Sequence, residues 1–373
     1  MQTAIPCLFM RGGTSRGPFF LESDLPSDVV SRDRILLAAL GSPDSRQIDG
    51  LGGANPLTSK VGIVRRSTKP GVDLDFLFAQ VMVDRALVDT TPNCGNMLAA
   101  VVPFALETGL VAPRGDTSTF RVRTVNTDMT CDITVQTPGG RVRYDGAARI
   151  DGVPGTAAPV AINFLDTAGS VCAGLLPTGA TSDAVALPAV GELRAMGMRV
   201  TCIDNGMPMV VMRAADLGRT GYESVAALNA DAELKARLEA LRLHCGERMG
   251  LGDVSAKSYP KMCMIAAPQR GGSIATRCFI PHVCHDAIGV LAAVTVGTAC
   301  VLEGSVAHEL AALPPGAVKP VSVEHPTGEF TVELELSDPR TVARAALLRT
   351  ARLIMRGEVM VPDQVWPTHG ATR

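Results

Sequence analysis

Aromatic side chains are scarce in this sequence of 373 residues: they make up 4% of it, with one Trp and three Tyr. Stacking platforms for nucleic-acid bases need more than that. An excess of either charge is also missing. Lys and Arg number 35 against 37 Asp and Glu, for a net charge of -2, so electrostatics give no case for a nucleic acid or an anionic membrane as partner. No apolar run reaches membrane length and no secretory leader pattern is present. The expected location is therefore cytoplasmic, with reduced thiols. The ten Cys contain no Cys-x-x-Cys pair, which removes the commonest thiolate metal spacings. Cys131, Cys202, Cys263 and Cys278 fall in apolar or strand-like runs and read as core thiols. His282-x-x-His285 lacks a Glu or a third ligand at metal spacing, and no metal is expected.

The sequence does have a large apolar fraction, 46%, with only 19% charged residues. That composition fills a large core, and the length suits two domains. The most distinctive stretch is Asn93-Cys94-Gly95-Asn96, a turn-like cluster. The apolar run 97–109 that follows reads as a buried helix, stopped by Gly109 and kinked by Pro103. A Cys at the mouth of such a helix sits where outward N–H groups hold an anion and perturb a thiol. An inert structural Cys is the plainer alternative.

Two other stretches carry chemistry. Arg11-Gly12-Gly13-Thr14-Ser15-Arg16-Gly17 separates strands read at 4–10 and 18–21. It offers backbone N–H groups and hydroxyls to a carboxylate, or is a simple glycine hairpin. No Gly-Lys-Ser/Thr opens a helix there, so it is not a Walker loop. A helix is expected over 28–41. A long Gly-rich polar loop then ends at Ser59-Lys60, before a strand at 61–64. Loops of that length are often functional. Lys60 is either a partly desolvated base or a solvated strand-end Lys.

The second half repeats this plan loosely. Strands are expected at 200–203, 209–212, 261–267 and 274–280. Helical sequence runs through 216–250. A polar turn carrying Cys284 precedes an apolar helix at 287–300, and a hairpin is read at 318–325 and 329–336. Arg141–Tyr144 is read as extended, 339–355 as a helix, and 358–362 as a final strand. The Ala-, Gly- and Thr-rich stretch 178–186 marks the expected boundary between domains 1–183 and 184–373, with the last strand allowed to pack back on the first. Strands and helices interleave without βαβ regularity, which gives an α+β (mixed α/β) class.

Several motifs, in order, resemble those of one family. They are Met10-Arg11-Gly12-Gly13-Thr14-Ser15-Arg16-Gly17, Gly41-Ser42-Pro43-Asp44, Arg46-Gln47-Ile48-Asp49-Gly50, Gly52-Gly53, Leu57-Thr58-Ser59-Lys60-Val61 and Asn93-Cys94-Gly95-Asn96. Gly169-Ser170, Leu175-Leu176-Pro177-Thr178-Gly179 and Pro281-His282 match more weakly. Across essentially its whole length the chain resembles the diaminopimelate-epimerase-like superfamily. Within it, the similarity is to the branch of methylaconitate isomerase and the oxalomesaconate isomerases and tautomerases. The resemblance implies two similar domains, each with strands wrapped around a central helix and the ligand between them. It implies no cofactor, a possible homodimer, and a small tricarboxylic keto acid as substrate, 4-oxalomesaconate in bacterial protocatechuate and gallate 4,5-cleavage. The reaction would be a 1,3-allylic double-bond shift or a keto–enol tautomerisation. The resemblance further implies Lys60 and Cys94 as the acid/base pair, with either one as the base.

Substrate carboxylates and a dienolate need donors. Those expected are Arg11, Gly12, Gly13, Thr14, Ser15, Ser59, Asn93, Gly95, Asn96, Met97 and Ser170, and from the second half Lys257, Lys261, Arg277, His282 and His285. The rival expectations are a methylaconitate or methylitaconate isomerase, an amino-acid epimerase working through Cys94 and Cys284, and a non-catalytic binding protein.

Overall fold

The computed structural model describes every residue except 92, 166, 188–194, 339–340 and 367–373. It separates into two compact units, Met1–Leu165 with Leu348–Arg373, and Asp166–Leu347. The sequence boundary at 183/184 falls inside the second of these, and the terminal segment is counted with the first.

The first unit holds strands β1 (Gln2–Gly12), β2 (Ser15–Leu21), β3 (Lys60–Arg66), β4 (Leu74–Val81), β5 (Val88–Asp89), β6 (Thr117–Thr124), β7 (Thr130–Gln136) and β8 (Pro159–Phe164). Its helices are α1 (Val29–Leu40), α2 (Gly95–Leu98) and α3 (Val101–Glu107). Strand order is β1-β2-β3-β4-β6-β7-β8, with β5 against β4. α1 is bounded as its sequence dictates. The Asp28 carboxylate accepts from Ser31 N–H at its start, and Gly41, at φ 74°, ends it in the left-handed region. Its buried residues Ile35, Leu36, Ala39 and Leu40 join Ile5, Phe20, Val61 and Ile63 in one core.

The expected helix 97–109 is two helices. Pro103 has no N–H to give the Ala99 carbonyl, and the chain breaks into a turn at Ala99–Ala100 before resuming with Phe104 N–H donating to Ala100 O at 2.9 Å. Its residues from Met97 to Ala105 are buried, as the all-round apolar sequence requires. Arg141–Tyr144, expected to be extended, forms no strand.

The second unit holds β9 (Asp183–Leu187), β10 (Met196–Asp204), β11 (Pro208–Arg213), β12 (Lys261–Ala266), β13 (Ile274–Phe279), β14 (Val318–His325) and β15 (Gly328–Asp338), with α4 (Val225–Ala230), α5 (Ala232–Arg248) and α6 (Val290–Val301). Strand order is β15-β14-β13-β12-β11-β10-β9. Part of the stretch read as a domain boundary is therefore a strand, β9, paired antiparallel with β10. α6 is the unit's buried helix: ten of its twelve residues are buried, and it packs against β14 and β15. Thr295 and Thr298 return their hydroxyls to the Leu291 and Val294 carbonyls at 2.9 and 2.8 Å, so neither is left unbonded in the core.

The largest departure from expectation is β16 (Thr341–Pro362), a strand where a helix was expected over 339–355. Positions 339–340 of that helix lie outside the described residues. Ala, Leu and Arg give the segment helical propensity, but long-range pairing decides its state. Its early residues pair with β15 in the second unit, Leu347 opposite Val332. Its later residues pair with β1 in the first, from Ala351 opposite Gly12 to Pro362 opposite Gln2.

Candidate active site

The site is built on the hairpin β1–β2, closed by the two residues Gly13 and Thr14, with Gly12 opposite Ser15. Gly13 has φ 51°, which this turn requires and which favours glycine. The glycines also permit close packing. A Cβ at Gly12 would collide with the Asn96 carbonyl, and one at Gly13 with the Asn96 side-chain oxygen. Further along, a Cβ at Gly17 would collide with the Lys60 carbonyl. The loops carrying Lys60 and Cys94 thus both meet this hairpin, at Gly17 and at its tip.

Lys60 is the first residue of β3 and is buried, at 8% exposure. Its Nζ donates to Gln80 Oε1 at 2.5 Å and lies 4.9 Å from the Phe78 ring centroid. Gln80 stands directly opposite Lys60 on β4. Its amide nitrogen donates to the Ser59 and Pro56 carbonyls at 2.9 and 3.1 Å, so its oxygen is turned toward the lysine. Ser59, fully buried, donates to Val81 O at 2.8 Å and accepts from Gln47 Nε2 at 2.7 Å. Ser59 therefore holds the loop rather than presenting its hydroxyl. Gln47 appears in the sequence only as a member of the Arg46–Gly50 motif, and Gln80 in no motif. Both act across strands or loops, and the pairing register that would reveal Gln80 is not written in its neighbours.

Cys94 is the N-cap residue of α2 and is half-buried, with its carbonyl accepting from Leu98 N–H at 3.1 Å. Asn96 Nδ2 donates to Thr14 Oγ1 at 2.9 Å, and Asn96 Oδ1 accepts from Arg349 Nε at 3.1 Å. Asn93 Nδ2 donates to Thr127 and Thr124 hydroxyls at 2.6 and 3.1 Å. Met97 is fully buried. Ser15 Oγ and Asn93 Oδ1 are buried with no hydrogen-bond partner, a condition a native fold rarely leaves without a ligand or water to answer it. Arg11 departs from expectation. Successive residues of a strand face opposite sides, and Gly12 faces Asn96, so Arg11 faces away from it. Its Nη1 donates to Gly13 O, Thr350 O and Thr350 Oγ1 at 2.8 to 3.1 Å.

The candidates of the second unit are engaged separately. Ser170 Oγ donates to Asp204 Oδ1 at 2.7 Å, beside the Val171 and Cys172 N–H groups on Oδ2. Arg277 is buried, donates to the Glu223 and Thr276 carbonyls at 2.8 and 2.9 Å, and is held below the usual guanidinium range by that burial. His282 Nε2 lies 2.8 Å from Glu239 Oε2, and His285 Nδ1 accepts from Ala287 N–H at 2.9 Å. Lys257 Nζ donates to Leu251 O at 2.9 Å. Lys261 begins β12, half-buried. Cys284 is buried, and burial pushes its thiol up to about 11, which favours the protonated form. Among the described residues no group of three His, Cys, Asp or Glu is placed to hold a metal ion.

The fold is that of the diaminopimelate-epimerase-like proteins, mixed strand and helix in two domains. The chain matches a solved structure of a methylitaconate-delta-isomerase at TM-score 0.83 and 33% identity, over 100% of this chain and 99% of that one. More narrowly, the chain belongs to the PrpF protein family, whose model matches residues 2–362. It is 56% identical to a (4E)-oxalomesaconate Delta-isomerase of Novosphingobium sp. (strain KA1), over 95% of this chain and 97% of that protein. It is 53% identical to a 4-oxalomesaconate tautomerase of Pseudomonas putida, over 98% of each. This chain is an isomerase.

Proposed function

We propose that this isomerase moves a proton in 4-oxalomesaconate, with Lys60 and Cys94 as the acid/base pair. The observation that carries this reading is identity of 53% and 56%, over nearly the whole chain, to two proteins named for that substrate. A proton shift along the conjugated keto acid needs one group to take a proton from carbon and another to deliver one elsewhere. Gln80 accepts a single N–H from Lys60, which leaves the rest of the amino group available in either protonation state. The base is accordingly Lys60 or Cys94. The hydroxyls of Thr14 and Ser15 receive carboxylate or dienolate charge, since the Gly13 N–H is spent on Thr350 O at 2.9 Å. A cytoplasmic setting suits ten cysteines that are all free thiols.

NMR of the purified protein with 4-oxalomesaconate in D2O tests the reading. Deuterium entering one new carbon with a shifted carbon–carbon double bond identifies the allylic reaction, and keto–enol interchange alone identifies the tautomerase. Lys60→Met and Cys94→Ala should each slow turnover by roughly 10²–10⁴-fold. Unchanged turnover in either variant removes that residue from the pair. Absence of any exchange removes the substrate assignment.

A further inference from the structure

Arg16, Arg11 and Arg352 stand directly opposite one another on β2, β1 and the later part of β16. Directly opposed residues of antiparallel strands share a face, and like charges so placed destabilise a sheet. Among the described residues none of the three pairs with a carboxylate. Arg11 spends one nitrogen on Gly13 and Thr350. Arg16 rests over the Phe9 ring at 5.8 Å, and Arg352 is exposed. Burial and the neighbouring Arg352 charge hold Arg11 below the usual guanidinium range.

The three arginines line a cleft of about 580 Å³, a size typical of small-molecule sites. Another part of its lining comes from the loop 144–157 and is largely apolar, through Ile150, Val153, Pro154 and Ala157. Asp145 also lines it, in an exposed ion pair with Arg143 Nη2 at 3.1 Å, so one carboxylate faces the three arginines. The Tyr144 hydroxyl is 3.2 Å from Glu107. The cleft is on the face of β1 opposite the one that meets Asn96, because Arg11 and Gly12 are successive residues of one strand.

We propose that this cleft is a second anion site, separate from Lys60 and Cys94, that binds a small organic polycarboxylate. Guanidinium forks pair with carboxylates in the plane and bidentately. A row of three arginines suits two or more carboxylates on one compact skeleton, and the apolar loop covers the carbon between them. Bare phosphate would meet the guanidiniums and leave that wall uncovered.

Hydrogen exchange read by mass spectrometry, on the full chain at constant ionic strength with millimolar citrate as probe, tests the site. Citrate should slow exchange across 144–157 and 350–354 by about threefold or more, and Arg16→Ala/Arg352→Ala should abolish that protection. Arg352→Ala alone removes an exposed side chain and should weaken it, which keeps the test available if the double variant folds poorly. No protection of these segments overturns the proposal. Protection that persists in the variants, or equal protection by inorganic phosphate, also overturns it.

Discussion

Gln80 holds Lys60 from the facing strand. Its amide is fixed by two backbone carbonyls and its oxygen takes one N–H of Lys60, so it sets where the amine points. Gln80→Glu keeps the shape and places a carboxylate beside that amine. The ammonium form is then favoured, and the pH–rate limb that the proposed role of Lys60 requires should move to higher pH, while Gln80→Met should lower kcat. A profile unchanged in both variants makes Gln80 a packing residue only. Sequence reading marked Lys60 and Cys94 at the edges of conspicuous polar loops, and their pairing as acid and base is what the family resemblance implies. It missed Gln80, which stands twenty residues from Lys60, and it put Arg11 with its neighbours Gly12 and Gly13 although a strand sends adjacent side chains to opposite faces. Motif membership identifies residues that are close in the chain, whereas the side a residue faces depends on the strand it belongs to.

At the scale of elements, boundaries written in local chemistry were legible. Asp28 and Gly41 delimit α1, and Pro103 marks where the buried helix breaks. β16 was illegible because its partners, Val332 in one unit and Gln2 to Gly12 in the other, are remote in sequence. β9 was hidden by small residues that read as linker. The packing of β2 against Lys60 makes a prediction at this scale. Gly17→Ala puts a methyl group into the Lys60 backbone, so β2 and β3 must separate locally. Urea unfolding should show a loss of about 1–3 kcal/mol, and turnover should fall with it as Lys60 moves. A variant as stable and as active as the parent would show that the strands adjust freely.

For the molecule as a whole, the acid limit of stability has an identifiable contributor. Asp75 is 1% exposed and is gripped by Arg123 at 2.8 Å and Arg65 at 2.9 Å, tying together β3, β4 and β6. Burial alone would raise its carboxyl, but hydrogen bonds from Arg123, Ser67 and Arg65 outweigh that and hold it below the ordinary value. A folded pKa below the unfolded one gives stability that is complete above about pH 4 and lost as pH falls through the folded value. Asp75→Asn should therefore cost about 1–3 kcal/mol at neutral pH, discounted because both arginines are partly exposed and keep other carboxylate partners. Its unfolding free energy should also fall less steeply than the parent's below pH 4. Parallel acid limbs for the two proteins would assign the acid sensitivity elsewhere.

The split loyalty of β16 has a consequence for anyone dissecting the gene. A fragment ending at Leu165 contains most of the first unit in one uninterrupted reading frame, yet it omits the residues that pair with Gln2–Gly12. Such a fragment would display eleven residues of unsheathed strand edge, a template for fibril-like association. A soluble half would have to be a circular permutant, with codons 348–366 moved ahead of codon 1.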